Sequence, residues 1–151
     1  MPYLKEYQHS FVSASTTELS IAENSYNETV LTAFRISVGS IVRHITIGNK
    51  SLQFVRRFEL LGLNKLESLV IESFSCTQST GIKNITIWNE SVCRIVDCPN
   101  LVSIRFGEYS MSGYKSLELR GLDSLQSIDM NLCFCFAEEC TLKSENYLPS
   151  T

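Results

Sequence analysis

The chain repeats itself, and that constrains its fold more than any single motif. Phe34 to Ile47 (FRISVGSIVRHITI), Phe58 to Ile71 (FELLGLNKLESLVI), Cys93 to Phe106 (CRIVDCPNLVSIRF) and Leu117 to Met130 (LELRGLDSLQSIDM) align without a gap, their starts spaced by 24, 35 and 24 residues. The first column reads Phe34, Phe58, Cys93, Leu117, and two residues on it reads Ile36, Leu60, Ile95, Leu119. Later columns read Val42, Leu66, Leu101, Leu125, then Ile45, Leu69, Ile104, Ile128, closed by Ile47, Ile71, Phe106, Met130. All are apolar. Only Gly39 interrupts the remaining column of Leu63, Cys98 and Leu122.

A second signature follows each of the first three copies, a serine four positions after the last apolar residue and then an apolar residue or cysteine: Ser51-Leu52, Ser75-Cys76 and Ser110-Met111. Two partial copies carry it too, with Leu19-Ser20-Ile21 leading to Ser25-Tyr26 and Ile85-Thr86-Ile87 leading to Ser91-Val92. Within the long interval, Ile82 to Ile87 mirrors Val42 to Ile47, so residues 72–92 form either an irregular coil, the expectation adopted, or an inserted loop. At the far end Cys140-Thr141-Leu142 falls where a further copy should begin, one residue early.

Within a copy the apolar residues alternate, step by three, then alternate again. Period two is the signature of a strand. The central steps of three are too short for a helix, and Gly62 or Gly121 at their start would cost a helix about 1 kcal/mol each, so a compact corner is expected there. No coil built this way buries its apolar side alone; stacked neighbours make a continuous core. The expected architecture is a β-rich solenoid, a right-handed stack of coils with two short strands each, spanning residues 19–142 between an N-terminal flank (1–18) and a C-terminal tail (143–151).

The copies resemble the BspA-like class of leucine-rich repeats, whose pattern runs Cys-x-x-Leu-x-x-Ile-x-Ile-Gly-x-x-x-Phe. Residues Cys98 to Met111 (CPNLVSIRFGEYSM) match it most closely, and the 24-residue spacing lies within the range of leucine-rich repeats. The chain departs from that pattern in its 35-residue interval and in placing Leu52, Cys76 or Met111 where Phe is usual. The resemblance implies a surface protein of bacteria or mucosal protists, acting in adhesion and ligand binding.

Composition narrows the function. A net charge of −3, with 13 basic and 16 acidic residues spread singly, supplies no electrostatic footprint for nucleic acid. No run approaches the roughly 18 apolar residues of a membrane helix, so no membrane insertion is expected within this segment. Four sequons, at Asn27, Asn49, Asn84 and Asn89, favour a cell-surface or secreted location and are candidate glycosylation sites. Among six cysteines, Cys93 and Cys98 occupy core columns, whereas Cys133, Cys135 and Cys140 cluster. Zinc wants four ligands and no nearby histidine completes the cluster, so a disulfide among those three is the favoured reading.

Catalysis needs a nucleophile, base or metal in a constellation. Only His9 and His44 are present, the first in the flank and the second in a column otherwise filled by Ser68, Ser103 and Ser127. No phosphate loop or paired carboxylates appear. The expectation is a non-enzymatic module without cofactor or metal, binding a protein or glycan partner through outward side chains of the second strand: His44, Thr46, Ser68, Val70, Ser103, Arg105, Ser127 and Asp129. Thr86 and the lone tryptophan, Trp88, extend that face if the partial copy is a coil. The outward column of the first strand, Arg35, Glu59, Arg94, Glu118, would alternate in sign and keep the coils soluble and in register. The alternatives are an architectural spacer or oligomerisation solenoid, and a polysaccharide-acting β-helix enzyme.

Overall fold

A computed structural model describes residues 10–78 and 85–143. Among the described residues ten short strands follow one another: β1 (Glu18–Ile21), β2 (Ala33–Ile36), β3 (His44–Ile47), β4 (Arg57–Leu61), β5 (Ser68–Ile71), β6 (Val92–Val96), β7 (Ser103–Phe106), β8 (Ser116–Arg120), β9 (Ser127–Met130) and β10 (Glu139–Lys143). One five-residue helix, α1 (Ile85–Asn89), interrupts them. Odd-numbered strands form one parallel sheet, β1-β3-β5-β7-β9, and even-numbered strands the other, β10-β8-β6-β4-β2. Each coil therefore gives one strand to each sheet, as in a parallel β-solenoid.

The register reproduces the sequence columns. Phe34 pairs with Phe58, Phe58 with Cys93, and Cys93 with Leu117. In the other sheet Ile45 pairs with Leu69, Leu69 with Ile104, and Ile104 with Ile128. Both partial copies at the ends contribute a strand, with Leu19 beside Ile45 and Cys140 beside Leu117. Inward columns of both sheets belong to one apolar cluster as far as the last coil, where Met130 and Leu142 are exposed, and Phe34 and Phe58 stack with ring centroids 4.7 Å apart. Each wholly buried aliphatic side chain contributes roughly 1.5 to 3 kcal/mol. Phe11 from the flank packs on Phe34 with centroids 4.5 Å apart, covering the first coil.

The serine signature is a hydrogen-bonding device. Ser51, Ser75 and Ser110 are wholly buried, each at the corner leaving the odd-numbered strand. Ser51 Oγ donates to the Ala22 carbonyl at 2.8 Å and accepts from the Ser25 amide at 3.1 Å, and Ser75 Oγ donates to Gly48 and accepts from Ser51 in the same manner. The hydroxyl thus satisfies backbone groups that the turn removes from the strand ladder. The residue after each serine has a left-handed backbone, with φ of 57° at Tyr26, 56° at Leu52, 50° at Cys76 and 53° at Met111. In the last coil Phe134 takes that position, its amide bonded to the Ser110 carbonyl, and one residue is missing from the corner. That deletion puts Cys140 one residue early.

The interval 72–92 adds no rung. β5 pairs directly with β7 and β4 with β6, so no strand from this interval stands between them. Of the mirror of Val42–Ile47, Ile85 to Ile87 are helical and not a strand, and residues 82–84 lie outside the described residues. Leu31, Val55 and Tyr114 close equivalent turns on the regular levels. Tyr114 is wholly buried, and its hydroxyl donates to the Val55 carbonyl at 2.6 Å, bridging the level from which the inserted segment departs.

Candidate functional site

Alternation along the odd-numbered strands turns two residues per rung outward. The first outward column is Glu18, His44, Ser68, Ser103, Ser127, and the second is Ser20, Thr46, Val70, Arg105, Asp129. All eight expected strand-face residues thus share one surface. They bond along the stack: His44 Nδ1 lies 2.7 Å from Ser68 Oγ, and Arg105 faces Asp129 at 3.8 Å. Arg43, at the strand's edge, meets Glu67 at 3.1 Å, and Glu67 also approaches His44 Nε2 at 3.8 Å.

Thr86 and Trp88 are not on this face. Both belong to α1, where Trp88 is half-buried and lies under Lys115, whose Nζ is 5.4 Å from the ring centroid and donates to Asn89 Oδ1 at 2.9 Å. At the corner after β7, a Cβ added to Gly107 would stand 2.6 Å from the Ser73 amide nitrogen.

Ser68, His44 and Glu67 place a hydroxyl, an imidazole and a carboxylate in sequence, the order used by nucleophilic hydrolases. Chemistry of that kind also needs amide donors aimed at a developing oxyanion. Here the amides of His44 and Ser68 point to the carbonyls of Thr17 and Arg43 in the preceding coil. What the triplet achieves is a hydrogen-bonded chain across three side chains on an open sheet. Among the described residues no group of three or more His, Cys, Asp or Glu side chains could hold a metal ion.

On the opposite sheet the charge ladder forms in full. Arg35 contacts Glu59 at 2.6 Å, Arg94 contacts Glu59 at 3.3 Å and Glu118 at 3.4 Å, and Arg120 lies 3.8 Å from Glu118. Glu59 is only 2% exposed, so this is more than the chain of solvated pairs that the sequence suggests.

All six cysteines are free thiols in the structure. Burial pushes Cys76 and Cys93 far up, Cys98 and the half-buried Cys133 to about 11. Cys135 and Cys140 are exposed. Of the sequon asparagines, Asn49 and Asn89 are exposed and Asn84 lies outside the described residues. Asn27 is built into the corner: its Nδ2 donates to the Lys50 carbonyl at 2.9 Å and its Oδ1 accepts from the Gln53 amide at 3.0 Å.

No protein-family model, curated protein or solved structure matches the chain. Its surface must therefore be read from its own geometry. One further surface lies at the corner after the odd-numbered strands. There the residue before each corner serine, Asn24, Lys50, Phe74 and Tyr109, has a left-handed backbone with φ between 54° and 59°. Phe74 and Tyr109 stack with centroids 5.3 Å apart, yet stay 43% and 39% exposed. Clefts of about 590 Å³, lined by Glu23, Asn24, Asn49, Lys50 and Phe74, and about 380 Å³, lined by Glu72, Arg105, Glu108 and Leu132, share Ser73. Sequence reasoning passed over this pair, although the position before the serine marks both residues.

Proposed function

We propose that the chain is a non-catalytic solenoid module that binds a protein or glycan, as part of a longer surface or secreted protein. Register is the observation that supports this most: inward columns stay apolar, while the outward columns of the β1-β3-β5-β7-β9 sheet change chemistry from rung to rung. A stack of this kind presents an extended surface whose side chains are free to vary without touching the core. The spending of nearby amides on the neighbouring coil and the openness of the His44 triplet favour binding over turnover. No helix among the described residues is long and apolar enough to cross a membrane.

The finer family reading, a leucine-rich repeat of the BspA-like kind, rests on the Cys98–Met111 pattern and the 24-residue coil. The even-numbered strand of each coil occupies the place that a helix or 3₁₀ turn takes in the leucine-rich horseshoe.

The test is a screen of the purified chain against arrayed extracellular proteins and glycans, repeated with Thr46→Lys, Val70→Glu and Arg105→Glu combined. Hits lost by this variant at an unchanged melting temperature are the expected result. Hits that all survive the substitution would remove the strand face from the reading. No hits, together with ordered self-association of the chain, would favour an architectural solenoid, and turnover of an arrayed glycan would favour the enzyme.

A further inference from the structure

We infer that the C-terminal end of the solenoid pairs with the same end of a second copy, through antiparallel self-association of β10. This goes beyond the binding-module reading, since a closed pair leaves the strand face of both copies open. The two ends of the stack differ at equivalent positions of the inward columns. At the first coil Ile21 and Ile36 are 3% and 2% exposed, and Phe11 of the flank packs on neighbouring Phe34. At the last coil Met130, in the column of Ile21, is 45% exposed, and Leu142, in the column of Ile36, is 42% exposed. Leu132 and Phe136 widen this open apolar end. A capped first coil cannot receive it, so head-to-tail growth is blocked and open ends meet each other about a two-fold axis.

The edge of β10 selects its own copy. In the sequence ECTLK, Glu139 and Lys143 stand equally far from Thr141 and share its outward face, whereas Cys140 and Leu142 continue the inward columns of Leu117 and Leu119. Antiparallel pairing centred on Thr141 therefore sets Glu139 opposite Lys143 of the second copy at both ends of the strand, and Cys140 opposite Leu142. The free backbone groups fall in the same register. The Glu139 amide bonds the Lys115 carbonyl and the Lys143 carbonyl accepts from the Gly121 amide, so the odd-numbered residues of β10 are committed to β8. Alternation in a parallel ladder turns the amides and carbonyls of Cys140 and Leu142 to the free edge, and these are the residues that pairing about Thr141 joins by reciprocal hydrogen bonds. Charge on an edge strand ordinarily keeps other strands away. Opposite signs placed symmetrically about the centre instead attract a second copy of the same strand. The two-fold axis runs on through the core, so the pairing also removes Met130 and Leu142 of both copies from water.

The test is analytical ultracentrifugation of the purified chain in reducing buffer, from micromolar to sub-millimolar concentration. A monomer–dimer equilibrium that stops at two chains is expected. Glu139→Lys or Lys143→Glu sets like charges opposite one another at both ends of the paired strands and should weaken the dimer about tenfold, while the two substitutions together should restore it. Register has its own readout. With exposed Cys135 and Cys140 replaced by serine, Thr141→Cys should form an intermolecular disulfide on mild oxidation, because the two positions face each other across the axis, whereas Glu139→Cys should not. The inference is overturned if the chain stays monomeric, which would assign the open end to chain beyond Lys143, or if neither charge reversal weakens the dimer. Growth beyond two chains would show that the first coil is no cap and would overturn it as well. A charge-dependent dimer that gives no hits in the arrayed screen would support the pairing while favouring an architectural role over binding.

Discussion

Replacing Glu59 with glutamine tests whether the charge ladder on the even-numbered strands holds the coils or merely decorates them. The carboxylate is 2% exposed and accepts from Arg35 Nε at 3.2 Å, Arg35 Nη2 at 2.6 Å and Arg94 Nη1 at 3.3 Å. Glutamine keeps the shape and one acceptor, but turns an amide donor towards one of the guanidiniums. A hydrogen bond to a charged group contributes about 1.5 to 3 kcal/mol. Breaking a fully buried pair costs about 3 to 5 kcal/mol, because the abandoned charge stays dry. Arg35 and Arg94 are 54% and 38% exposed and can rehydrate, which places Glu59→Gln near the lower range, at about 2 kcal/mol. For a chain of this length that is a fall of roughly 4 to 8 °C in melting temperature. Glu118→Gln, two rungs on and more than a third exposed, is the control and should cost about 0 to 1 kcal/mol. Thermal unfolding by circular dichroism, with and without 1 M salt (Debye length about 3 Å), reads both. Salt should erase the Glu118 effect and leave most of the Glu59 effect. Equal losses at the two positions, or a Glu59 loss abolished by salt, would refute the claim that desolvation distinguishes them.

Further outcomes follow from the same geometry. Leu66→Asp puts a carboxylate into a wholly buried column and should unfold the array, whereas Ser68→Asp, half-exposed beside His44, should leave the urea midpoint nearly unchanged; equal midpoints would mean that the register is wrong. Gly107→Ala should lower the melting temperature by the equivalent of about 1 to 3 kcal/mol of overpacking, because its Cβ would stand 2.6 Å from the Ser73 amide nitrogen. Tyr114→Phe, which strips the buried Val55 carbonyl of its donor, should cost about 1 to 3 kcal/mol in urea denaturation. With a thiol reagent at neutral pH, exposed Cys135 and Cys140 should react first, and Cys76, Cys93 and Cys98 only after unfolding. Because burial raises Cys98 from 9.0 to about 11, its contribution to stability is complete below pH 9 and declines as pH climbs from there to about 11, so alkaline unfolding curves should shift in that window and not near neutrality.

Legibility in the sequence followed burial. Columns such as Ile45, Leu69, Ile104 and Ile128 were readable because each position faces the same interior on every level, which permits only apolar side chains. The serine signature was readable for a related reason, since only a small hydroxyl fits the buried corner and satisfies its backbone. Residues 72–92 were misleading because the apolar spacing of Ile82 to Ile87 says nothing about what lies beneath it. Trp88 falls where Gly48 and Gly107 stand, but Glu72 holds the same place after Ile71, so that position did not distinguish a coil from an excursion. Glu59 shows the same limit from the other side: alternating charge predicted a ladder, but its burial depends on the arginines on both neighbouring levels, and only adjacency of β4 and β6 supplies the second.

The corner aromatics obey the same logic of columns. A repeat read through its apolar columns treats everything between them as connection. In a solenoid, however, each connection stacks on the next as strictly as the strands do: the Lys50 amide bonds the Ser73 carbonyl and the Phe74 amide the Glu108 carbonyl. Corner residues therefore form columns of their own, and a column that changes from Asn24 and Lys50 to Phe74 and Tyr109 changes the surface without changing the fold. Replacing both rings with asparagine should accordingly leave the unfolding midpoint at or above that of the parent chain, because relief of two strained backbones, each about 1 to 2 kcal/mol, offsets the absence of ring stacking. A marked fall in the midpoint would show that the rings are there to hold the corner.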